Sequence, residues 1–377
     1  MRIQAYNFIL HNICLPERKF ASACAYDNGV FFHESTHYLT KCRGQNKGEI
    51  DSCNIGHCFV LYRNFMPHKK KLQTVGVVLM TYGSPATLDD IPLYLKNIYG
   101  GRDPTPERIA EFKRRYSLIG GSPLIKITRD QAVALEKELN KDHSKTFHVT
   151  AGMRFSPPFI ADVVADFPRD INKIIGIIMS PQYSPIIMSG YVKQLTEAVQ
   201  NLNRDDITVS ISEDWHLQKY FIKAIAQRVE EALNGLPDDV RNTVPVLFSA
   251  HSMPKRVIEK EPNYINHLKE TAAAVANEIN LPGDRWMFCY QSAGHTPEEW
   301  LKPDFADIMP ELKTKRHTHV LITPIQFLSD HLEVLYDIEI GAREQAEKYD
   351  IQFARTQSLN TSPLFIKALE EVVKNLS

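Results

Sequence analysis

The stretch VPVLFSAHSMP, residues 244–254, places a histidine at the end of an apolar run. Such a run is typical of a strand buried on both faces of a parallel sheet. Side chains just beyond the carboxyl ends of these strands line the ligand cleft of open α/β folds. An imidazole there can accept a proton near neutral pH or contact a metal ion. His251 is therefore a candidate for chemistry; the alternative is a hydrogen-bonded structural histidine, and His295 and His331 also lie near strand ends.

A second candidate group lies in FLSDHLEVLYDIEIGA, residues 327–342. Asp330, Glu333 and Asp337 are spaced i, i+3 and i+7, so an α-helix would place their carboxyl groups on one face. The same spacing also fits an ordinary N-terminal capping arrangement. Because this helix would follow a buried strand, its first turn would open at the same sheet edge as His251. A carboxylate beside an imidazole makes an acid–base pair or a metal site.

Apolar strand candidates alternate with stretches of helical period from residue 73 onward. The clearest helices cover 125–140, 219–233 and 268–279, with a last helix at about 361–376. This alternation predicts an α/β fold with parallel sheets and helices on both faces. Eight strands divide into two sets of four: 74–81, 147–154, 173–180, 207–212, 244–250, 285–291, 318–324 and 351–356.

Residues 1–70 do not share this alternation, and they mix Cys, His, Asn and Gly irregularly. We predict that they form a poorly structured extension or precede a true start near Met66. The N-terminal half would then cover 73–205 together with the C-terminal helix, 358–377. The C-terminal half would cover 206–357.

Composition excludes several classes of protein. The net charge of −1 gives no support to nucleic-acid binding, which requires clustered basic charge. No run approaches 18 apolar residues, so no transmembrane helix is expected. Five of the six cysteines precede residue 60, which argues against a secreted disulfide framework and favours a reducing compartment. The cysteines lack paired C-x₂-C spacing, so a zinc module is only a minor alternative. The nucleotide-binding signatures G-x-G-x-x-G and Walker A are absent.

Aromatic and basic residues surround the predicted cleft edge, and the connection 82–146 is long enough to form a lid or a binding wall. The tyrosines are individually expected to be packing residues. The arginines are expected to form a solvated face, with capture of carboxylates as their functional interpretation. The residues concerned are Tyr82, Tyr116, Tyr183, Tyr191, Arg102, Arg114 and Arg115.

Four segments, in order and with suitable spacing, resemble the ferrochelatase family, which inserts ferrous iron into a porphyrin. They are YSLIGGSPL, LFSAHSMP, YQSAGHTPEEWLKPD and FLSDHLEVLYDIEI, and the resemblance runs from about residue 73 to 377. It implies the chelatase fold, two Rossmann-like domains that each contain a four-stranded parallel sheet flanked by helices. It also implies that His251 is the catalytic base and metal contact, and that Glu333 is its carboxylate partner.

The resemblance is closest to the bacterial coproporphyrin III branch, because LMTYGSP places Tyr82 where that branch has a tyrosine facing the metal opposite the histidine. It implies that Asp337 extends a proton or metal route outward to solvent. Two departures, Tyr99-Gly100 and Phe155, stand where a basic pair and a second metal-contacting histidine can occur. The residues implied to bind the porphyrin are Tyr82, Arg102, Arg115, Tyr116, Ser122 and Tyr191.

The resemblance also implies what the protein binds. Fe²⁺ and a porphyrin are substrates, coproporphyrin III being favoured and protoporphyrin IX the alternative. No permanently bound cofactor and no iron–sulfur cluster are expected. We expect a cytoplasmic monomer, with peripheral membrane contact left open and other enzymes of haem synthesis as candidate partners. Two other functions remain: a cobalt or nickel chelatase acting on a sirohydrochlorin-type ring, and a non-catalytic haem or porphyrin carrier.

Overall fold

A computed structural model describes residues 22–26, 29–33, 73–294 and 298–377. The chain divides into two compact units, Met1–Lys70 and Lys71–Ser377. In the first unit, strands β1 (Ser22–Tyr26) and β2 (Gly29–His33) pair antiparallel, which the sequence did not predict. The rest of that unit lies outside the described residues, as does His295, so the predicted extension or late start remains a prediction there.

The second unit contains two four-stranded parallel sheets, as predicted. The first has the strand order β4-β3-β5-β6 and the second β10-β9-β7-β8. Every strand begins and ends within two residues of its predicted bounds. The strands are β3 (Thr74–Thr81), β4 (Thr146–Met153), β5 (Ile171–Ile178), β6 (Thr208–Ile211), β7 (Val246–His251), β8 (Trp286–Gln291), β9 (His319–Pro324) and β10 (Gln352–Arg355).

Central strands are apolar throughout because helices cover both of their faces. All eight residues of β3 are buried, and β3 pairs with β4 on one side and β5 on the other. The first five residues of β7 are also buried, and only His251 at its end is partly open. A run without alternation therefore marks a central strand, and the first polar residue after it marks the carboxyl edge of the sheet.

One predicted boundary between the halves is wrong. The division at residue 206 assigns β6 to the C-terminal half, whereas β6 is the edge strand of the first sheet and pairs with β5. Its short length and partly exposed face are typical of an edge strand. The first half therefore extends at least through Ile211.

The helices flank the sheets, and those predicted from the helical period are present. The helix predicted at 268–279 begins six residues earlier, at Pro262, and the ends of the others shift by at most two residues. Among the helices that the structure describes, none is long and apolar enough to cross a membrane. The α-helices are Ile91–Ile98, Pro106–Leu118, Leu124–Leu139, Ile160–Ala165, Pro185–Gln200, Lys219–Asn234, Asp238–Arg241, Lys255–Ile258, Pro262–Glu278, Phe305–Thr314, Arg343–Glu347 and Pro363–Leu376; a 3₁₀ turn covers Leu88–Asp90.

The segment predicted as an acidic α-helix is instead a ten-residue π-helix, Glu333–Ala342. A π-helix has i→i+5 hydrogen bonds and therefore a wider turn, and π-helical turns are frequent at functional sites. Glu333 is its first residue and Asp337 lies one turn further on. Asp330 precedes it.

The C-terminal helix, Pro363–Leu376, packs against helix Leu124–Leu139 of the first half and helix Lys219–Asn234 of the second. Its apolar face is buried, with Phe365 and Leu369 fully enclosed. This helix therefore contributes to the cores of both halves rather than to the first alone.

Candidate active site

A cleft of about 770 Å³ lies at the carboxyl ends of β3, β5 and β7. One wall comes from helices Ile91–Ile98 and Pro106–Leu118, within the long connection that was predicted to form a wall. The start of the π-helix Glu333–Ala342 closes another side. The cleft thus occupies the position where open α/β sheets bind their ligands.

His251 presents one defined nitrogen to this cleft. Its backbone N–H donates to Gln326 Oε1 at 2.8 Å, which fixes the end of β7. Its Nδ1 bonds to the carbonyl oxygen of Ser252, and since a carbonyl can only accept, Nδ1 carries the proton. Nε2 therefore keeps its lone pair, and it lies 3.7 Å from Glu333 Oε1. That lone pair can accept a proton or bind a metal ion.

Glu333 lies between two imidazoles. His331 Nε2 is 3.6 Å from Glu333 Oε2, while His331 Nδ1 donates to Ser329 O at 2.9 Å. Burial alone would raise the pKa of Glu333, but electrostatic attraction by His251 and the interaction with His331 lower that pKa to about 2. Burial lowers the pKa of His331, but Glu333 outweighs this and the net shift is upward. Glu333 is therefore a carboxylate at neutral pH.

The acidic trio predicted from spacing is only partly assembled. Asp337 lines the cleft with Glu333, and burial raises the pKa of Asp337 above its ordinary value. The negative charge of Glu333 adds to that shift, whereas Arg115, whose Nη1 is 3.7 Å away, opposes it. Asp337 thus takes up a proton more readily than a free aspartate.

Asp330 does not share this face. It accepts hydrogen bonds from Ser358 Oγ at 2.8 Å and Asn360 Nδ2 at 2.9 Å, and Arg355 Nη2 is 3.4 Å away. The prediction of three carboxylates on one helix face is therefore wrong. The reason is that Asp330 lies before the π-helix. Its side chain there forms hydrogen bonds and an ion pair with residues at the end of β10 and in the loop that follows.

Tyr82 lies at the end of β3 and lines the cleft. Its ring packs on Phe155 at 4.5 Å between centroids and meets Tyr94 edge-on at 6.5 Å. Burial and the nearby charge of Glu333 raise its pKa to about 12, so its phenol is neutral at physiological pH. Phe155, which stands where a second histidine can occur in the family, acts here as the packing surface for Tyr82.

Helix Pro106–Leu118 turns a basic and aromatic face toward the cleft. Arg108, Phe112, Arg115 and Tyr116 are spaced i, i+4, i+7 and i+8, and all four line it. Arg115 Nε donates to Glu111 Oε1 at 2.7 Å, and its guanidinium lies 4.9 Å from the centre of the Tyr336 ring. Arg115 therefore links this helix to the π-helix.

The other predicted porphyrin contacts divide into two groups. Ser122 and Tyr191 line the cleft, and burial raises the pKa values of Tyr116 and Tyr191, so both phenols are neutral donors. Arg102 is not among the lining residues; it is exposed and its Nε donates to Tyr99 O at 3.2 Å. The cation that lines the cleft beside Arg115 is Arg108.

Two lining residues, Arg108 and His331, were not assigned to the site from the sequence. Arg108 could have been found, because it lies seven residues before Arg115 and so shares its helix face. His331 was noted only as one of several histidines near strand ends. Its position depends on the backbone just before the π-helix, and no pattern in the sequence predicts the course of that backbone.

The ferrochelatase family model matches residues 74–376. The protein named "Ferrochelatase" from Herpetosiphon aurantiacus is 39% identical over 300 residues, which cover 79% of this chain and 97% of that protein. The "Coproporphyrin III ferrochelatase" of Geobacillus kaustophilus is 35% identical over 305 residues, 80% of this chain and 95% of that one.

Among solved structures, SirB from Bacillus subtilis with Fe³⁺ covers 81% of this chain and 96% of its own, with a TM-score of 0.47 and 11% identity. So distant a likeness has no bearing on function, and the family rests on the sequence matches instead. Those matches span the whole of both sheets and the cleft between them. The chain therefore belongs to the ferrochelatase family, the lyases that insert a metal ion into a porphyrin.

Proposed function

We propose that the protein inserts Fe²⁺ into coproporphyrin III, giving Fe-coproporphyrin III for haem synthesis. The observation that carries this proposal is the pairing of His251 Nε2 with Glu333 Oε1 across 3.7 Å at the end of β7. That separation exceeds a direct hydrogen bond, so the two groups are not bonded to each other and a metal ion can bind both. A neutral imidazole and a carboxylate together offer divalent iron one nitrogen and one oxygen ligand.

The exchange of protons for iron follows from these groups. A free porphyrin must lose two pyrrole protons as Fe²⁺ binds its four nitrogens. His251 Nε2 accepts a proton, and the negative charge of Glu333 offsets the positive charge that gathers there. Asp337, with its raised pKa, passes protons outward to solvent. Tyr82 faces the ring from the side opposite His251. This scheme uses no resident cofactor.

The preference for coproporphyrin III rests on the polar groups around the cleft. Arg108 and Arg115 offer cationic donors, and Tyr116, Ser122 and Tyr191 offer hydroxyl groups. Guanidinium groups bind carboxylates well, and coproporphyrin III carries four of them where protoporphyrin IX carries two. Relatives at 34–35% identity, including that of Geobacillus kaustophilus, are named for coproporphyrin III.

Anaerobic Fe²⁺ insertion by the full chain, run in parallel on the two porphyrins, tests this proposal. We expect kcat/KM for coproporphyrin III to exceed that for protoporphyrin IX at least tenfold. Equal rates, or a preference for protoporphyrin IX, would overturn the choice of substrate and keep the enzyme class. Insertion of cobalt into a sirohydrochlorin with no iron insertion into either porphyrin would overturn both. Stoichiometric retention of iron porphyrin without turnover would indicate a carrier.

A further inference from the structure

A second cluster of metal-binding side chains lies away from the cleft. Asp214 and His216 belong to the segment between β6 and helix Lys219–Asn234. His267 and Glu270 lie on helix Pro262–Glu278 of the second half. None of these four residues lines the cleft described above. Asp214, His216 and His267 each bring one ligand atom within 4.8 Å of the other two.

The two imidazole rings are stacked, with centroids 4.0 Å apart and planes 12° apart. The side chain of His216 is 5% exposed, and its Nε2 is 2.8 Å from Glu270 Oε2. Its Nδ1 is buried and makes no hydrogen bond within the described part of the chain, although Asp214 Oδ2 lies 3.4 Å away. His267 Nδ1 is buried and unbonded in the same way.

Unsatisfied buried nitrogens call for a partner, because an enclosed polar atom without one is costly. Two such nitrogens next to each other and beside a carboxylate are the donors that a zinc-type ion takes. The contact of His216 Nε2 with Glu270 matches the outer hydrogen bond that orients metal-binding histidines. Three ligand groups and one orienting carboxylate thus fit one ion.

We propose that Asp214, His216 and His267 bind a divalent transition-metal ion of the Zn²⁺ type, with Glu270 orienting His216. The lone pairs of two stacked imidazole rings point in parallel directions. One ring must therefore turn toward the other before both can bind the same ion. His267 is the less buried of the two and is the ring that moves. Asp214 then supplies the oxygen ligand, and water completes the shell.

The position of this site gives it a structural role. It joins the segment that leaves the first sheet to a helix of the second half, so a bound ion would tie the halves together. Existing hydrogen bonds follow the same path: Gln182 Nε2, just after β5, donates to Thr271 Oγ1 at 3.2 Å, and Thr271 lies on the same helix as His267. Because such an ion binds the folded chain alone, it should raise thermal stability.

The test uses the full chain, stripped of metal with a chelator and then dialysed against Zn²⁺. Binding stoichiometry and melting temperature would be measured for the wild type, His267→Asn, Asp214→Asn and His251→Ala. We expect both cluster variants to bind one Zn²⁺ fewer than the wild type and to lose the Zn²⁺-dependent rise in melting temperature. His251→Ala should keep that rise, which separates this site from the catalytic cleft.

His143→Asn is the matched control, because His143 is exposed and its left-handed backbone, with φ at 53°, suits asparagine. Any zinc that cysteines bind is common to all variants and cancels in the comparison. Cluster variants that bind as many Zn²⁺ ions as the wild type and keep its melting shift would overturn the proposal. Iron insertion by His267→Asn should match the wild type. Failure of the zinc proposal therefore leaves the proposed function intact, and failure of the proposed function leaves the zinc proposal intact.

Discussion

A backbone carbonyl decides which imidazole nitrogen of His251 is available for chemistry. Because Ser252 O accepts from Nδ1–H, Nε2 keeps the lone pair that faces Glu333. His331 is held in the same way by Ser329 O, and it faces the other oxygen of the same carboxylate. Glu333 is thus a permanent negative charge between two imidazoles. In the proposed reaction its negative charge offsets the positive charge that gathers at the site, and His251 is the base.

His331→Asn should raise the pKa of Glu333. The substitution removes the interaction with His331 that helps to lower this pKa to about 2, so the pKa moves toward its ordinary value. An NMR titration that follows the carboxyl carbon of Glu333 should move to higher pH by about one pH unit. His143→Asn should leave this titration unchanged. A Glu333 titration that does not move in His331→Asn would show that His331 does not set the charge of Glu333.

The proposed catalytic pair was predictable from the sequence. His251 ends an apolar run, and Glu333 begins the helix after β9, which pairs with β7, so parallel strands place both residues at the same sheet edge. Asp330 was placed with them wrongly because spacing does not reveal where a helix begins. His331 was not predicted, because a single histidine before a helix is not part of any periodic pattern.

Two helices form the walls of the cleft, and one side chain joins them. Arg115 of helix Pro106–Leu118 contacts both Asp337 and the Tyr336 ring of the π-helix. The wide turn of the π-helix sets Glu333 and Asp337 on the side that faces the cleft. A porphyrin carboxylate that binds Arg115 would compete with Asp337 for it, which couples substrate binding to the proton route.

Arg108→Ala and Arg115→Ala should weaken binding of coproporphyrin III. Each variant removes one cation from the cleft wall, so KM should rise about tenfold, which is the loss of about 1.4 kcal/mol of binding. The rise should be smaller for protoporphyrin IX, which has fewer carboxylates. For Arg108→Ala, kcat should stay within about threefold, because Arg108 makes no contact with Asp337.

Steady-state kinetics on the two porphyrins checks this, with Arg129→Ala as control. Arg129 is exposed on helix Leu124–Leu139 and does not line the cleft. An unchanged KM for coproporphyrin III in both cleft variants would contradict the assignment of these arginines to carboxylate binding. Equal effects on the two porphyrins would show that they do not select the substrate.

The helical period of the sequence predicted where helices lie but did not distinguish an α-helix from a π-helix. Helix Leu124–Leu139 was predicted to within one residue at each end. The π-helix was not predicted, because its apolar positions also fit an α-helix and only the wider hydrogen-bonded turn distinguishes them. Arg102 was implied by resemblance to contact the porphyrin, yet the loop before helix Pro106–Leu118 points it to Tyr99 O instead.

At the scale of the whole molecule, the last helix connects the two halves. Besides its apolar face, it carries Glu370, whose side chain is 5% exposed and is paired with Lys367 at 2.7 Å and Lys374 at 2.6 Å. Burial alone would raise the pKa of Glu370, but the two lysines outweigh burial and lower it below its ordinary value. The folded state therefore favours the charged carboxylate.

Glu370→Gln should lower the free energy of unfolding by about 2 kcal/mol at pH 7, because it leaves two charge-assisted hydrogen bonds weakened. Since the folded-state pKa is lowered, this contribution is complete above the unfolded pKa of 4.5 and disappears as pH falls through the folded value. Urea unfolding at pH 7 and below pH 4 measures it, with Glu230→Gln, exposed on helix Lys219–Asn234, as control. A difference that persists unchanged in acid would contradict an electrostatic origin.

The two-sheet architecture was predictable because alternation of β and α segments leaves few arrangements. The exact division between the halves was not, since β6 is short, partly exposed and close to the junction. The last helix was assigned to the first half alone, because an apolar helix face does not reveal which surfaces cover it. Contacts between residues far apart in the sequence determine both where the halves divide and how the last helix packs.

Single-turnover Fe²⁺ insertion into coproporphyrin III, without oxygen, by the wild type and His251→Ala tests the role of His251. His143→Asn controls for loss of a histidine elsewhere. We predict that His251→Ala binds the porphyrin but inserts iron at least about 100-fold more slowly, because the proposed reaction uses Nε2 both as base and as metal contact. Insertion by His251→Ala within a few-fold of the wild-type rate would contradict the central role of His251 and Glu333.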